Sequence, residues 1–116
     1  MALFKKKNQQ NEYQTALNQM NQEPLTKACE RIEFAVVTSD DQNTLSFVEK
    51  IKRHHPVVLN FDGVEVPTAN KVLAFIAGAM YALNGKTVKI DEKIYLFALS
   101  EEFLDGSLNE WLRQFE

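Results

Sequence analysis

The chain has 116 residues, 45% apolar and 25% charged, with a formal net charge of -3. That is room for one domain with a modest core, and the acidic balance gives no global basic field for gripping nucleic acid. Cys29 is the single cysteine, so no intramolecular disulfide can form, which fits a reducing cytoplasm.

From the start, Leu3 and Phe4 precede Lys5, Lys6 and Lys7. No apolar h-region follows, so no signal peptide is expected. These five residues form a minimal tip for touching an anionic membrane surface, with a solubilising tail as the plainer alternative. Residues 8–22 hold nine Asn or Gln, a biased stretch that cannot order itself by burial. Tyr13, Leu17 and Met20 fall at i, i+4, i+7, a weak helical signal. The predicted organisation is a tip at 1–7, a flexible Asn/Gln-rich linker at 8–27, and a folded core at 28–116.

Within the core, Glu33 to Thr38 predicts a strand, a short β-branched run. Ser39, Asp40 and Asp41 are turn and N-cap material. Leu45, Val48 and Ile51, with Phe47 beside them, recur at helical spacing up to the stop at Pro56. Val57 to Phe61 predicts a second strand, apolar enough to be buried on both faces. Asp62-Gly63 marks a turn, and Pro67 or Thr68 opens a long helix. Val72, Phe75, Ile76, Ala79 and Leu83 make one stripe of it, and further stripes leave it apolar nearly all round, which predicts cover on more than one side. Asn84-Gly85 ends it. Lys86–Ile90 and Lys93–Leu99 predict a hairpin turning at Asp91-Glu92. Ser107 and Glu110 have capping-box spacing, and Leu108, Trp111, Leu112 and Phe115 predict an amphipathic C-terminal helix. The longest apolar stretch, Val72 to Leu83, falls short of the roughly 20 residues of a spanning helix, so no transmembrane segment is expected. The fold class is α/β, a two-layer β-α-β-α-β-β sandwich with a short C-terminal helix, and dimeric.

Dimerism is expected because helices hide one face of a four-stranded sheet and the other needs a cover. A second copy and the chain's own C-terminal helix are the two candidates. Ala74 and Gly78, four apart, would let another helix approach closely; relief of crowding against the sheet is the bland account of Gly78.

Chemistry finds little support. The four glycines give no phosphate-binding loop. His54 and His55 are adjacent and lack metal-ligand spacing, so they predict a polar helix end. Asp40-Asp41 and Glu101-Glu102 are adjacent acids explained by capping and solvation. No catalytic residue, metal or cofactor is expected. Lys86, Lys89 and Lys93 lie on the hairpin beside Tyr95 and Phe97. They are either a solvated edge that blocks aggregation or a groove for an extended, partly acidic peptide.

The segments HHPVVLNFDGV and NKVLAFIAGAMYALNGKTVKIDEKIYLFAL together resemble the SepF family of bacterial division proteins. The long-helix pattern is matched by Lys71, Val72, Phe75, Ile76, Gly78, Ala79, Tyr81, Ala82, Leu83 and Gly85. The hairpin pattern is matched by Lys89, Ile90, Lys93, Ile94, Tyr95, Leu96 and Phe97. The resemblance implies a non-catalytic scaffold that dimerises, polymerises and binds the C-terminal tail of the tubulin-like GTPase FtsZ at the cytoplasmic face of the division septum membrane. It places Gly78 at a self-association surface and Lys89 and Tyr95 at the tail; with the helix and hairpin readings above, the expected self-association residues are Ala74, Gly78 and Tyr81, and the expected tail contacts are Lys89, Ile90, Lys93, Tyr95 and Phe97. It further implies an N-terminal membrane anchor, here reduced to Leu3–Lys7. The chain departs from the family pattern in its short N-terminus, in its Asn/Gln-rich linker and in Asp91-Glu92 at the hairpin. The alternative is a small ligand-binding or enzymatic α/β domain with a pocket beside Asp62-Gly63.

Overall fold

The structure, a computed structural model, describes residues 26–39 and 41–116. The membrane-touching tip Leu3–Lys7 and the segment carrying Tyr13, Leu17 and Met20 lie outside the described residues.

A 3-10 turn, Ala28–Arg31, leads into β1 (Glu33–Val36). Alternation along β1 sends Ala35 toward the core and leaves Phe34 and Val36 exposed. Helix α1 (Asp41–Lys52) follows. Its buried stripe is Thr44, Phe47, Val48 and Ile51, spaced i, i+3, i+4, i+7. Leu45, expected on that stripe, is exposed instead, because Thr44 takes its place one position earlier. Strand β2 (Val57–Asn60) is buried along Val57, Val58 and Leu59, as its continuous apolar run predicted.

Helix α2 (Val66–Leu83) starts at Val66 with Pro67 in its first turn, where a missing N–H costs nothing. Only Val72, Ile76 and Met80 are buried, one stripe at intervals of four. Ala74, Phe75, Ala77, Gly78, Tyr81 and Ala82 are exposed. Among the described residues of one chain the helix is therefore covered on one side, where its sequence predicted more. By length and composition α2 would suffice to cross a bilayer, yet its buried stripe belongs to the core beneath it.

The helix stops at Asn84, which adopts the left-handed conformation (φ 59°). The neighbouring glycine serves another need. A Cβ on Gly85 would stand 2.6 Å from Met80 Sδ and 2.9 Å from the Ala98 carbonyl oxygen. Strands β3 (Gly85–Asp91) and β4 (Ile94–Leu99) then form the hairpin. β3 runs on to Asp91 through an irregularity between Lys89 and Asp91, so the turn falls at Glu92-Lys93, one residue later than expected.

The sheet order is β1-β2-β4-β3, with β1 and β2 parallel and the other pairs antiparallel. One face, carrying Val57, Leu59, Phe97 and Leu99, packs against α1 and α2 in the main core. Each large side chain buried there is worth about 1.5–3 kcal/mol. On the other face, α3 (Ser107–Leu112) seats Leu108 against Ala98 and Ala28. Trp111 approaches Phe34 at a ring separation of 6.1 Å. Of the two covers foreseen for this face, the chain's own C-terminal helix takes part, and Phe34 and Val36 stay exposed.

The expected capping box of α3 does not form. The N-cap is Gly106 at φ 81°, with no side-chain cap hydrogen bond. Asp105 Oδ1 instead accepts the Ser107 N–H at 2.8 Å, and its Oδ2 accepts the Ala28 N–H at 3.0 Å. The Ser107 hydroxyl accepts the Cys29 N–H at 3.0 Å. These bonds join the two ends of the core across the sheet face.

Candidate functional site

The free end of the β3–β4 hairpin gathers most of the residues that sequence assigned to a peptide partner. Lys89 pairs directly with Tyr95 and is exposed, with no ion pair to another described residue. Tyr95 is half-buried. Its ring meets Phe61 edge-on at 5.7 Å and stacks on Phe97 at 6.3 Å. Phe97 itself is wholly buried, so here it braces Tyr95 from the core and does not reach a partner. A sequence pattern cannot separate the two roles, since both aromatics point to the same face of β4.

Lys93 lies in the turn. Its ammonium stands 3.5 Å from Asp62 Oδ1, both largely exposed, a pair of little energetic weight. Phe61, Val64, Ala69, Leu73, Lys93 and Tyr95 shape a groove of about 190 Å³ between the hairpin and the first half of α2. This is the place beside Asp62-Gly63 where a ligand pocket was the alternative, and it is smaller than the ~300–1,000 Å³ of typical small-molecule sites. Ile90 faces elsewhere: with Val88 and Lys89 it borders a separate cleft of about 420 Å³ against Leu112 and Phe115. The structure thus brings Lys93 and Tyr95 to one groove and puts Ile90 on another, with Lys89 between them.

The second assigned surface is the outer side of α2. Ala74, Gly78 and Tyr81 are all exposed on it, Tyr81 at 92%. Among the described residues, a Cβ on Gly78 would meet nothing within 4 Å. Crowding against the sheet is therefore not why a glycine sits mid-helix, where it costs roughly 0.5–1 kcal/mol relative to alanine.

A third constellation was not foreseen. His54 takes a left-handed backbone (φ 72°) just after α1, and its Nδ1 lies 2.7 Å from Glu102 Oε2 and 3.5 Å from Glu101 Oε2. Glu102 is buried in a 3-10 turn after β4 (Ser100–Phe103). Its other oxygen accepts from the Arg31 guanidinium, whose Nε donates to the His54 carbonyl at 2.8 Å. Three segments distant in sequence converge on one buried carboxylate, as a buried charge requires. His55 turns to another partner, Glu33, at 3.3 Å. Adjacency in sequence hid this: the neighbouring histidines take different partners, while the neighbouring glutamates, one exposed and one buried, both turn toward His54.

Comparison with known proteins gives a consistent picture. The profile of the family described as Cell division protein SepF matches residues 38–101. A SepF protein of Symbiobacterium thermophilum is 38% identical over 53 residues, covering 46% of this chain and 26% of that protein. One from Alkaliphilus oremlandii is 31% identical over 68 residues, covering 59% and 47%. One from Ruminiclostridium cellulolyticum is 32% identical over 76 residues, covering 66% and 47%. The chain therefore spans from a quarter to about half the length of these curated relatives. The matched region runs from just after β1 to the start of the turn after β4 and contains the groove, the outer side of α2, His54 and Glu101, stopping one residue short of Glu102.

Proposed function

Because this chain belongs to the SepF family of cell division proteins, we propose that it is a non-catalytic scaffold that assembles with copies of itself and holds the C-terminal tail of FtsZ at the division septum. The observation that carries the reading is the outer side of α2. An 18-residue helix with three buried residues leaves Phe75, Gly78 and Tyr81 in solvent, and Gly78 has no packing reason among the described residues. A second helix laid along Ala74 and Gly78 supplies that reason and covers apolar surface that a monomer rarely leaves open.

The tail-binding half of the proposal is supported by the hairpin end. An extended, partly acidic peptide finds the apolar floor of Phe61, Leu73 and Tyr95 with Lys93 at the rim, and Lys89 stands across from Tyr95 on the neighbouring strand. A single such groove binds weakly; a polymer of copies facing a polymer of tails sums weak contacts into firm attachment. Leu3 and Phe4 with Lys5, Lys6 and Lys7 are assigned the same arithmetic at the cytoplasmic membrane surface, where each basic residue adds about 1 kcal/mol.

Light scattering of the full chain, with and without an FtsZ-tail peptide titrated by fluorescence anisotropy, tests both halves. Species larger than a monomer and saturable peptide binding are expected. A strictly monomeric protein with no peptide affinity would remove the proposal.

A further inference from the structure

We propose that His54, Glu101 and Glu102 form a binding site for a divalent transition-metal ion of the zinc class. The three side chains each offer one ligand atom, and these atoms lie within 4.8 Å of one another. In a tetrahedral zinc site with bonds of about 2.0–2.1 Å, neighbouring ligand atoms stand roughly 3.3 Å apart. His54 Nδ1 is 2.7 Å from Glu102 Oε2 and 3.5 Å from Glu101 Oε2. Opening the first separation by about 0.6 Å and swinging the largely exposed Glu101 side chain toward the pair would admit the ion, which then replaces the hydrogen bond between His54 and Glu102.

The surroundings favour this use. One oxygen of Glu102 is held by Arg31, which leaves the other presented toward His54. Arg31 is itself fixed by the His54 carbonyl and by the carbonyl and hydroxyl of Thr26, at 2.7 Å and 3.0 Å. A ligand oriented from behind by a second partner is the usual arrangement around bound metals. Arg31 offsets one of the two carboxylates, so with His54 neutral the site keeps one negative charge to attract a cation. A mixed imidazole and carboxylate set suits zinc and its first-row neighbours better than calcium or magnesium, which prefer oxygen alone.

A separate observation gives the ion a way in. Arg31, His54, Glu101, Glu102, Leu104 and Asp105 line an open cleft of about 220 Å³, room for water to complete the coordination. The ion would join the α1–β2 connection to the turn after β4. This site is on different elements from the peptide groove and from the outer side of α2, and it stands or falls apart from the scaffold proposal.

The test uses the full chain, stripped with a chelator, loaded with Zn²⁺ and dialysed, with bound metal measured by elemental analysis. Affinity is read by competition with a chromophoric zinc indicator, and Co²⁺ replaces Zn²⁺ to report ligand geometry by visible absorption. One Zn²⁺ per chain, a raised melting temperature and cobalt ligand-field bands are expected. Glu101→Gln, at a largely exposed side chain, and His54→Asn, a residue tolerant of positive φ, should each weaken zinc binding at least tenfold. His55→Asn should leave it unchanged. Failure to retain zinc after dialysis overturns the site. So does Glu101→Gln binding as tightly as the parent, or His55→Asn losing as much affinity as His54→Asn.

Discussion

Lys89 stands directly across the β3–β4 ladder from Tyr95, the one exposed and cationic, the other half-buried and stacked over Phe97. Charge and aromatic surface thus share one position of the sheet. Lys89→Glu should lower affinity for the FtsZ-tail peptide about tenfold or more with an unchanged melting temperature, since hot-spot residues cost about 2 kcal/mol or more when lost. Tyr95→Ala should weaken binding as much. Phe97→Ala should cost about 3–5 kcal/mol of folding stability, measured by urea denaturation, so any loss of binding there is read against unfolding.

Gly78 allows two substitutions with opposite readouts. Gly78→Ala should stabilise the chain by roughly 0.5–1 kcal/mol, because the added methyl meets nothing and alanine favours the helix. Gly78→Lys should keep the monomer folded, by circular dichroism, and shift light scattering toward smaller species. Unchanged scattering in Gly78→Lys would place self-association elsewhere than α2.

Gly85 is the opposite case. Its absent Cβ lets Met80 and the Ala98 carbonyl approach. The thioether can swing away; the carbonyl belongs to the ladder and cannot move without shifting β4. Gly85→Ala should therefore destabilise by about 1–3 kcal/mol, seen as a lower urea midpoint with the slope retained.

Asp105 should confer a pH-dependent stability. The N–H of Ala28, and then that of Ser107, hold its carboxyl below the ordinary 3.8. The folded chain thus binds this proton less tightly than the unfolded chain. The contribution is complete above about pH 4 and is lost as the pH falls through the lower folded value. Asp105→Ala should cost about 1 kcal/mol at neutral pH, in the range of a lost capping bond, and most of the difference from the parent should vanish in strong acid. A constant difference from pH 7 to pH 2 would mean that packing, not the ionised carboxylate, carries it.

The order of strands and helices was legible because each element carries its own period. Alternation in β1, a continuous apolar run in β2 and spacings of three and four in α1 and α2 all speak locally. What escaped depends on partners far along the chain. Leu45 and Thr44 compete for one stripe, and only the packing against α2 and the sheet decides between them. Ser107 and Glu110 have the spacing of a capping box, yet Asp105 meets the Ser107 N–H, and the Ser107 hydroxyl is drawn to Cys29. Of the proposed peptide contacts, the separation of Ile90 from Tyr95 is plain strand alternation once Lys89 is known to stand across from Tyr95, and that pairing is set by the register of the folded hairpin. The meeting of Arg31, His54 and Glu102 is wholly a product of tertiary structure.

The strand order β1-β2-β4-β3 puts the last strand to be synthesised between two earlier ones. As the chain leaves the ribosome, β1 and β2 emerge with their inner edge still unpaired, and β3 waits without its neighbour. Nothing upstream can close the sheet until Ile94–Leu99 is free to slot in, so a nascent chain stalled before that segment remains open and adhesive.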